Sequence, residues 1–125
     1  MKPRQYTTEE VQEKFLRHIW GLIGYWENDD RTPTSQGKME GLAHSIFAAI
    51  DGSSMALPAF IVAPLPHKDD KAYNIGNKEN YFPINPRKEN GDAANVKSDI
   101  GGNLAYQLFR VREKMQKEAL TKDSE

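Results

Sequence analysis

Cysteine is absent from the sequence. Disulfides, thiolate metal sites and a thiol nucleophile are thereby excluded, and a chain that manages without crosslinks suits a reducing compartment, so the cytoplasm is the expected location. An excess of charge of one sign is missing too: 17 Lys and Arg stand against 18 Asp and Glu, for a formal net charge of −1. With no basic field over the whole molecule to draw in phosphates or anionic lipid, nucleic acid is a disfavoured partner. Long apolar runs are lacking as well. The longest uncharged stretch, around "MALPAFIVAPLP", is interrupted by prolines, and the basic start "MKPRQYTTEE" has no apolar segment after it, so neither a membrane span nor a signal peptide is expected. No Gly-x-Ser-x-Gly elbow and no phosphate-binding glycine loop occurs, which argues against the familiar hydrolase triads.

What is present describes one domain spanning residues 1–125, a length at which a globule buries roughly two-thirds of the surface its unfolded chain exposes. Hydrophobic residues at 38% supply a core, while 28% charged residues indicate long polar loops or tails. The first helix is marked by a capping box, Thr7 with Glu10, and Tyr6 and Val11 occupy the staple positions around it. Val11, Phe15, Ile19, Leu22 and Trp26 then recur at spacings of three and four, which predicts a helix over about 8–27. Gly21 and Gly24 inside it serve either close packing or are weak points that the helix tolerates.

After the linker "NDDRTPTSQG", the set Met39, Leu42, Ala43, Ile46, Phe47 and Ile50 predicts a second helix that closes at Asp51, because Gly52 can take the left-handed conformation. "LPAFIVAP" is apolar on both alternating faces and reads as a strand covered on both sides, with Pro58 at its edge. From 64 to 97 the composition turns to Asn, Gly, Pro, Lys and Asp, a long polar loop with "AYNI" and "NYFPI" as short strands. Loops of that length in a small domain tend to be working surfaces. The last helix is expected from Ser98 or Asp99 through Ile100, Leu104, Leu108, Val111 and Met115, with a frayed tail over 118–125. The fold class expected is α+β, about three helices packed on a small antiparallel sheet of two to three strands.

The segment "PLPHKDDKAY" carries the chemistry worth weighing. His67, Asp69 and Asp70 at a strand exit can hold a divalent metal and activate water, since imidazole and carboxylate are good zinc ligands and a second carboxylate can act as base. The same residues can equally cap a turn between Pro66 and Tyr73. The run His67-Lys68-Asp69-Asp70 resembles the His-x-Asp-Asp signature of the zinc-dependent N-acetylglucosaminyl deacetylase family. That resemblance implies His67 and Asp70 as metal ligands and Asp69 as base. The sequence departs from the family in three respects: His18 and His44 lie upstream instead of supplying a downstream ligand, two helices precede the motif, and Lys68 stands where the family has proline. A third reading makes the segment a surface for a protein partner or small polar ligand, built from His67, Lys68, Asp69, Asp70, Lys71, Tyr73, Tyr81 and Phe82.

Other candidates are weaker. Glu40 and His44 are four apart on the second helix, as suits a surface pair or a metal. His18 borders the first helix's apolar stripe, and "RVREKMQKE" reads as a solvated helix face. The paired glycines Gly101 and Gly102 at a helix start offer backbone amides to a nucleotide or anion. "MEGLAHSIFAAIDGSS", "LPAFIVAPLPHKDDKAY", "ENYFP" and "DIGGNLAYQLF", within residues 38–110, resemble a group of small bacterial and phage proteins of uncharacterised function, which implies a compact cytoplasmic accessory protein and no particular site residue. Finally, Phe15, Leu16, Ile19, Trp20, Ile23 and Trp26, with Tyr25, form a wider apolar set than three helices need, and predict a homodimer interface. The leading expectation is a non-enzymatic interaction or ligand-binding protein without cofactor; the alternatives are the metal-dependent hydrolase and the anion binder.

Overall fold

The computed structural model describes residues 2–83 and 98–123 of the chain. It contains four helices: α1, Thr8–Glu27; α2, Ser35–Asp51; α3, Asp70–Gly76; and α4, Leu104–Asp123. They fall into two compact units, Met1–Phe60 with Ser98–Glu125, and Ile61–Lys97.

In the first unit α1 starts as its sequence dictates. The Glu10 amide donates to Thr7 Oγ1 at 3.1 Å and the Thr7 amide donates to Glu10 Oε1 at 3.0 Å, the reciprocal pair of a capping box. Arg4 adds a two-pronged bond to the same carboxylate, 2.7 Å on each oxygen. Tyr6 is exposed, with Lys14 Nζ 4.8 Å from its ring centre.

α1 packs against both α2 and α4, and α2 and α4 make no close backbone approach to each other among the described residues. The buried centre is Phe15, Leu16 and Ile19 of α1 with Val111 of α4 and Leu57, and Phe60 meets Phe15 edge to face at 5.2 Å. Phe15, Leu16 and Ile19, expected at an interface between copies, are buried within the single chain. Ile23 packs against the same core, Trp20 Nε1 donates to the Leu108 carbonyl at 2.8 Å, and Trp26 Nε1 donates to Ser45 Oγ at 2.9 Å. The wide apolar face of α1 serves two helices, α2 and α4, while Tyr25 at its edge stays exposed.

The seat of α2 on α1 is set by that tryptophan. A Cβ at Gly41 would lie 2.5 Å from the Trp26 ring, so only glycine lets the indole lie against the helix, with Ser45 one turn on to receive its N–H. Lys38 reaches across to the end of α1 and donates to the carbonyls of Trp26, Glu27 and Asp29 at 2.9, 3.2 and 2.8 Å, placing a cation where the helix dipole is negative. With Gly41, Ser45 and Ala49 turned inward, Met39, Ala43 and Phe47 of the expected stripe face out. α2 ends where expected, at Gly52 in the left-handed region with φ 91°, and a Cβ there would meet that of Ala59 at 2.8 Å.

No strand occurs among the described residues, so the expected α+β fold with its antiparallel sheet is corrected to an all-helical one. In "LPAFIVAP", Leu57 and Phe60 fill the helical core and the Phe60 amide donates to Ile50 O at 2.8 Å, whereas Ile61 and Val62 are exposed. A buried strand needs a neighbouring ladder along its length, and Pro58, Pro64 and Pro66 each remove a donor from this one. "AYNI" is part of α3. "NYFPI" is irregular as far as Pro83, and Ile84 lies with the rest of 84–97 outside the described residues. α4 begins at Leu104, five residues after Asp99, because Gly102 at φ 106° breaks the helical path and Asp99 bonds the Gly101 amide in a local turn. Gln12 of α1 pins this entry, donating to Ile100 O at 3.0 Å and to Asn103 Oδ1 at 2.7 Å. Over the region expected to fray, α4 continues to Asp123.

Candidate functional site

The second unit contains all eight residues singled out on the polar segment. Its organising feature is the start of α3. The His67 amide donates to Asp70 Oδ2 at 2.8 Å and the Asp69 amide donates to His67 Nδ1 at 3.2 Å. His67 O accepts from the Asp70 amide at 3.0 Å, and Asp69 O from the Tyr73 amide at 3.1 Å. These bonds close the turn from His67 to Asp70 that leads into α3; the helix's own N-cap, Asp69, makes no side-chain cap bond. Asp69 Oδ2 lies 3.5 Å from His67 Nδ1.

His67 and Asp70 of the His-x-Asp-Asp run are thus engaged in the turn that leads into a seven-residue helix. Imidazole and carboxylate point at backbone amides, not at one shared vacant point, and among the described residues no group of three or more His, Asp or Glu is placed to hold a metal ion. α3 closes at Asn77, whose side-chain amide donates to Tyr73 O at 2.9 Å, and Lys78 follows in the left-handed region at φ 58°.

The remaining residues form a surface. Lys71 Nζ lies 5.1 Å from the centre of the Tyr81 ring, a cation over an aromatic face. Lys68, Tyr73 and Phe82 are exposed, and so are Ile61, Val62, Leu65 and Ile75, with Tyr73 at 69% and Phe82 at 70% of their full accessible area. For a stretch of this length, that is much apolar surface left in water.

Elsewhere the candidates are spoken for. Glu40 accepts from Gln36 at 2.9 Å, and His44 is exposed without bonding to it. His18 is half-buried. The Gly101 amide already donates to Asp99 Oδ1 at 2.8 Å, so a carboxylate of the chain itself occupies the position an anion would take. "RVREKMQKE" does more than face solvent: Lys114 and Arg17 bond the two oxygens of Glu13 at 2.7 and 2.9 Å, and Arg17 forks onto Glu118 at 3.0 and 2.8 Å. These partners hold the Glu13 and Glu118 carboxyls below the usual range, Lys114 acting most strongly on the first and Arg17 on the second. Sequence reasoning passed over Tyr106 and Phe109 and read Arg110 and Arg112, in "RVREKMQKE", only as part of a solvated face. The available signal was that these positions fall off the seam of Leu104, Leu108, Val111 and Met115, so their aromatics have no core to fill. The concavities along α4 are open grooves lined by charged side chains, unlike the enclosed apolar clefts that take small ligands.

Fold and surface together define a small all-helical unit joined to a segment rich in exposed apolar groups, with no helix among the described residues long and apolar enough to cross a membrane. Compared with known proteins, the chain matches no family model, no curated protein and no solved structure.

Proposed function

We propose that the chain is a non-catalytic accessory protein of the cytoplasm that works by binding another protein, with the segment from Ile61 to Phe82 as its contact surface. The observation that carries this reading is the pairing of two facts on one segment: the His67 imidazole and the Asp70 carboxylate each accept a backbone amide within the turn that leads into α3, while Ile61, Val62, Leu65, Tyr73, Ile75 and Phe82 remain exposed. Apolar and aromatic groups framed by Lys68, Lys71 and Lys78 suit a protein interface, whose centre is apolar and whose rim is charged. The absence of cysteine supports a reducing compartment.

Affinity purification with quantitative mass spectrometry, using the full chain and a Lys68→Ala, Lys71→Ala, Tyr81→Ala variant, tests the surface. The expected result is selective loss of the partners retained by the parent chain; an unchanged set refutes the assignment. Calorimetric titration with zinc and with manganese tests the hydrolase alternative. No binding in the micromolar range is expected, and stoichiometric binding abolished by His67→Ala would replace the interaction reading with a metal site.

A further inference from the structure

The helical unit carries two outward faces of opposite character. On α2, Met39, Ala43 and Phe47 form an exposed stripe at four-residue spacing, with Met39 and Phe47 each 64% accessible. Its charged neighbours are the exposed acids Glu40 and Asp51, because the Lys38 ammonium is drawn inward onto the α1 carbonyls. On α4 the outward face holds Tyr106 and Phe109 with Arg110 and Arg112, and Glu113 follows at its edge. Arg110 lies 5.8 Å from the Tyr106 ring centre, and Arg112 lies 5.0 Å from that of Phe109 and 5.5 Å from that of Trp20. Neither guanidinium meets a carboxylate among the described residues, in contrast to Arg17, which forks onto Glu118. Each stacked arginine therefore offers a full set of N–H donors beside an aromatic ring, and the surface that answers it is one with carboxylates beside apolar groups.

α2 presents such a surface. The α4 face extends over about two helical turns, roughly 10 Å, and the α2 face from Met39 to Asp51 over about three, roughly 18 Å. Within one chain both helices pack on α1, with no close backbone approach of α2 to α4 among the described residues. We infer that the occupant of the α4 face is the α2 face of a second copy, with Glu40 and Asp51 meeting Arg110 and Arg112 around a centre of Met39 and Phe47 against Tyr106 and Phe109. Such a contact is heterologous: each copy keeps one unmatched face of either kind, so association proceeds head to tail into rings or short filaments and does not stop at a twofold dimer. The inference concerns the helical unit and stands apart from the role given to the Ile61–Phe82 segment.

The lack of cysteine makes the test clean. Ala43→Cys and Ala105→Cys place single thiols at small, exposed positions on the α2 and α4 faces. Under mild oxidation, a mixture of the two chains should give the mixed disulfide well in excess of either like pair. Light scattering and sedimentation of the parent chain across micromolar concentrations should show mass rising with concentration and falling with salt. Arg110→Glu with Arg112→Glu should weaken the association at least tenfold, with helicity by circular dichroism unchanged, and mixing with a Glu40→Arg, Asp51→Arg chain should restore it. A monomer at several hundred micromolar, thiols that pair only like with like, or association indifferent to the charge reversal would each overturn the inference.

Discussion

Replacing Gly41 by alanine sets two opposed effects of known size against each other. In a helix interior alanine is favoured over glycine by about 0.8–1 kcal/mol, so on propensity alone the substitution stabilises. At Gly41 the new methyl carbon would lie 2.5 Å from two atoms of the Trp26 ring and 2.6 Å from a third, far inside van der Waals contact. The indole cannot swing aside freely, because its N–H is bonded to Ser45 one turn along the same helix. Insertion of a methyl group into a packed contact of this kind costs about 1–3 kcal/mol, and loss of the indole bond adds about 1 kcal/mol if the ring moves. The expected net effect is destabilisation by about 1–3 kcal/mol. Gly21 and Gly24 of α1 are the controls: nothing among the described residues lies within 4 Å of a Cβ at either, so alanine there should stabilise by about 0.8–1 kcal/mol. Urea denaturation followed by circular dichroism, with Trp26 fluorescence reporting the ring's surroundings, measures all three. Gly41→Ala stabilising as much as Gly21→Ala would refute the packing of α2 through this glycine.

Three further outcomes are expected. Leu16→Ala, at a position 3% exposed in the centre of the helical core, should cost about 2–5 kcal/mol by denaturant melts, and a value below 1 would mean that the core lies elsewhere. The Arg4 guanidinium first, and then the Thr7 amide, hold the Glu10 carboxyl at about 2, below its ordinary 4.5, so its stabilising contribution is complete above pH 4.5 and is lost as pH falls through 2. Acid titration of stability should accordingly be flatter over that window for Glu10→Gln than for the parent chain. Asp70→Ala removes the acceptor of the His67 amide and should destabilise the turn that leads into α3 by about 1 kcal/mol, seen as roughly fivefold faster hydrogen exchange at His67; unchanged exchange would argue against that bond.

Some of this was legible in one dimension. The Thr7 and Glu10 box, the spacing from Val11 to Trp26 and the glycine that closes α2 are relations within one or two helical turns, so the local sequence specifies them whatever else the chain does. The spacing of His67 and Asp70 was of this type too. Three residues apart, an acceptor and a carboxylate are placed for a helix start as well as for a metal, and the pattern alone does not choose.

The strand reading of "LPAFIVAP" failed for a physical reason: a short apolar run satisfies alternation and burial alike, and whether it pairs depends on a neighbour that sequence does not display. Likewise sequence does not display that α2 and α4 both pack on the wide apolar face of α1. The existence and ends of α1 and α2 came from propensity and capping, interactions confined to near neighbours in the chain, and the spacings in α1 and α4 already marked their buried sides. Which face of α2 is buried was decided only in three dimensions. There the Trp26 ring, seated on Gly41 and bonded to Ser45, rotates α2 so that Met39 and Phe47 meet solvent, because fit between side chains distant in sequence has no signature in either stretch alone.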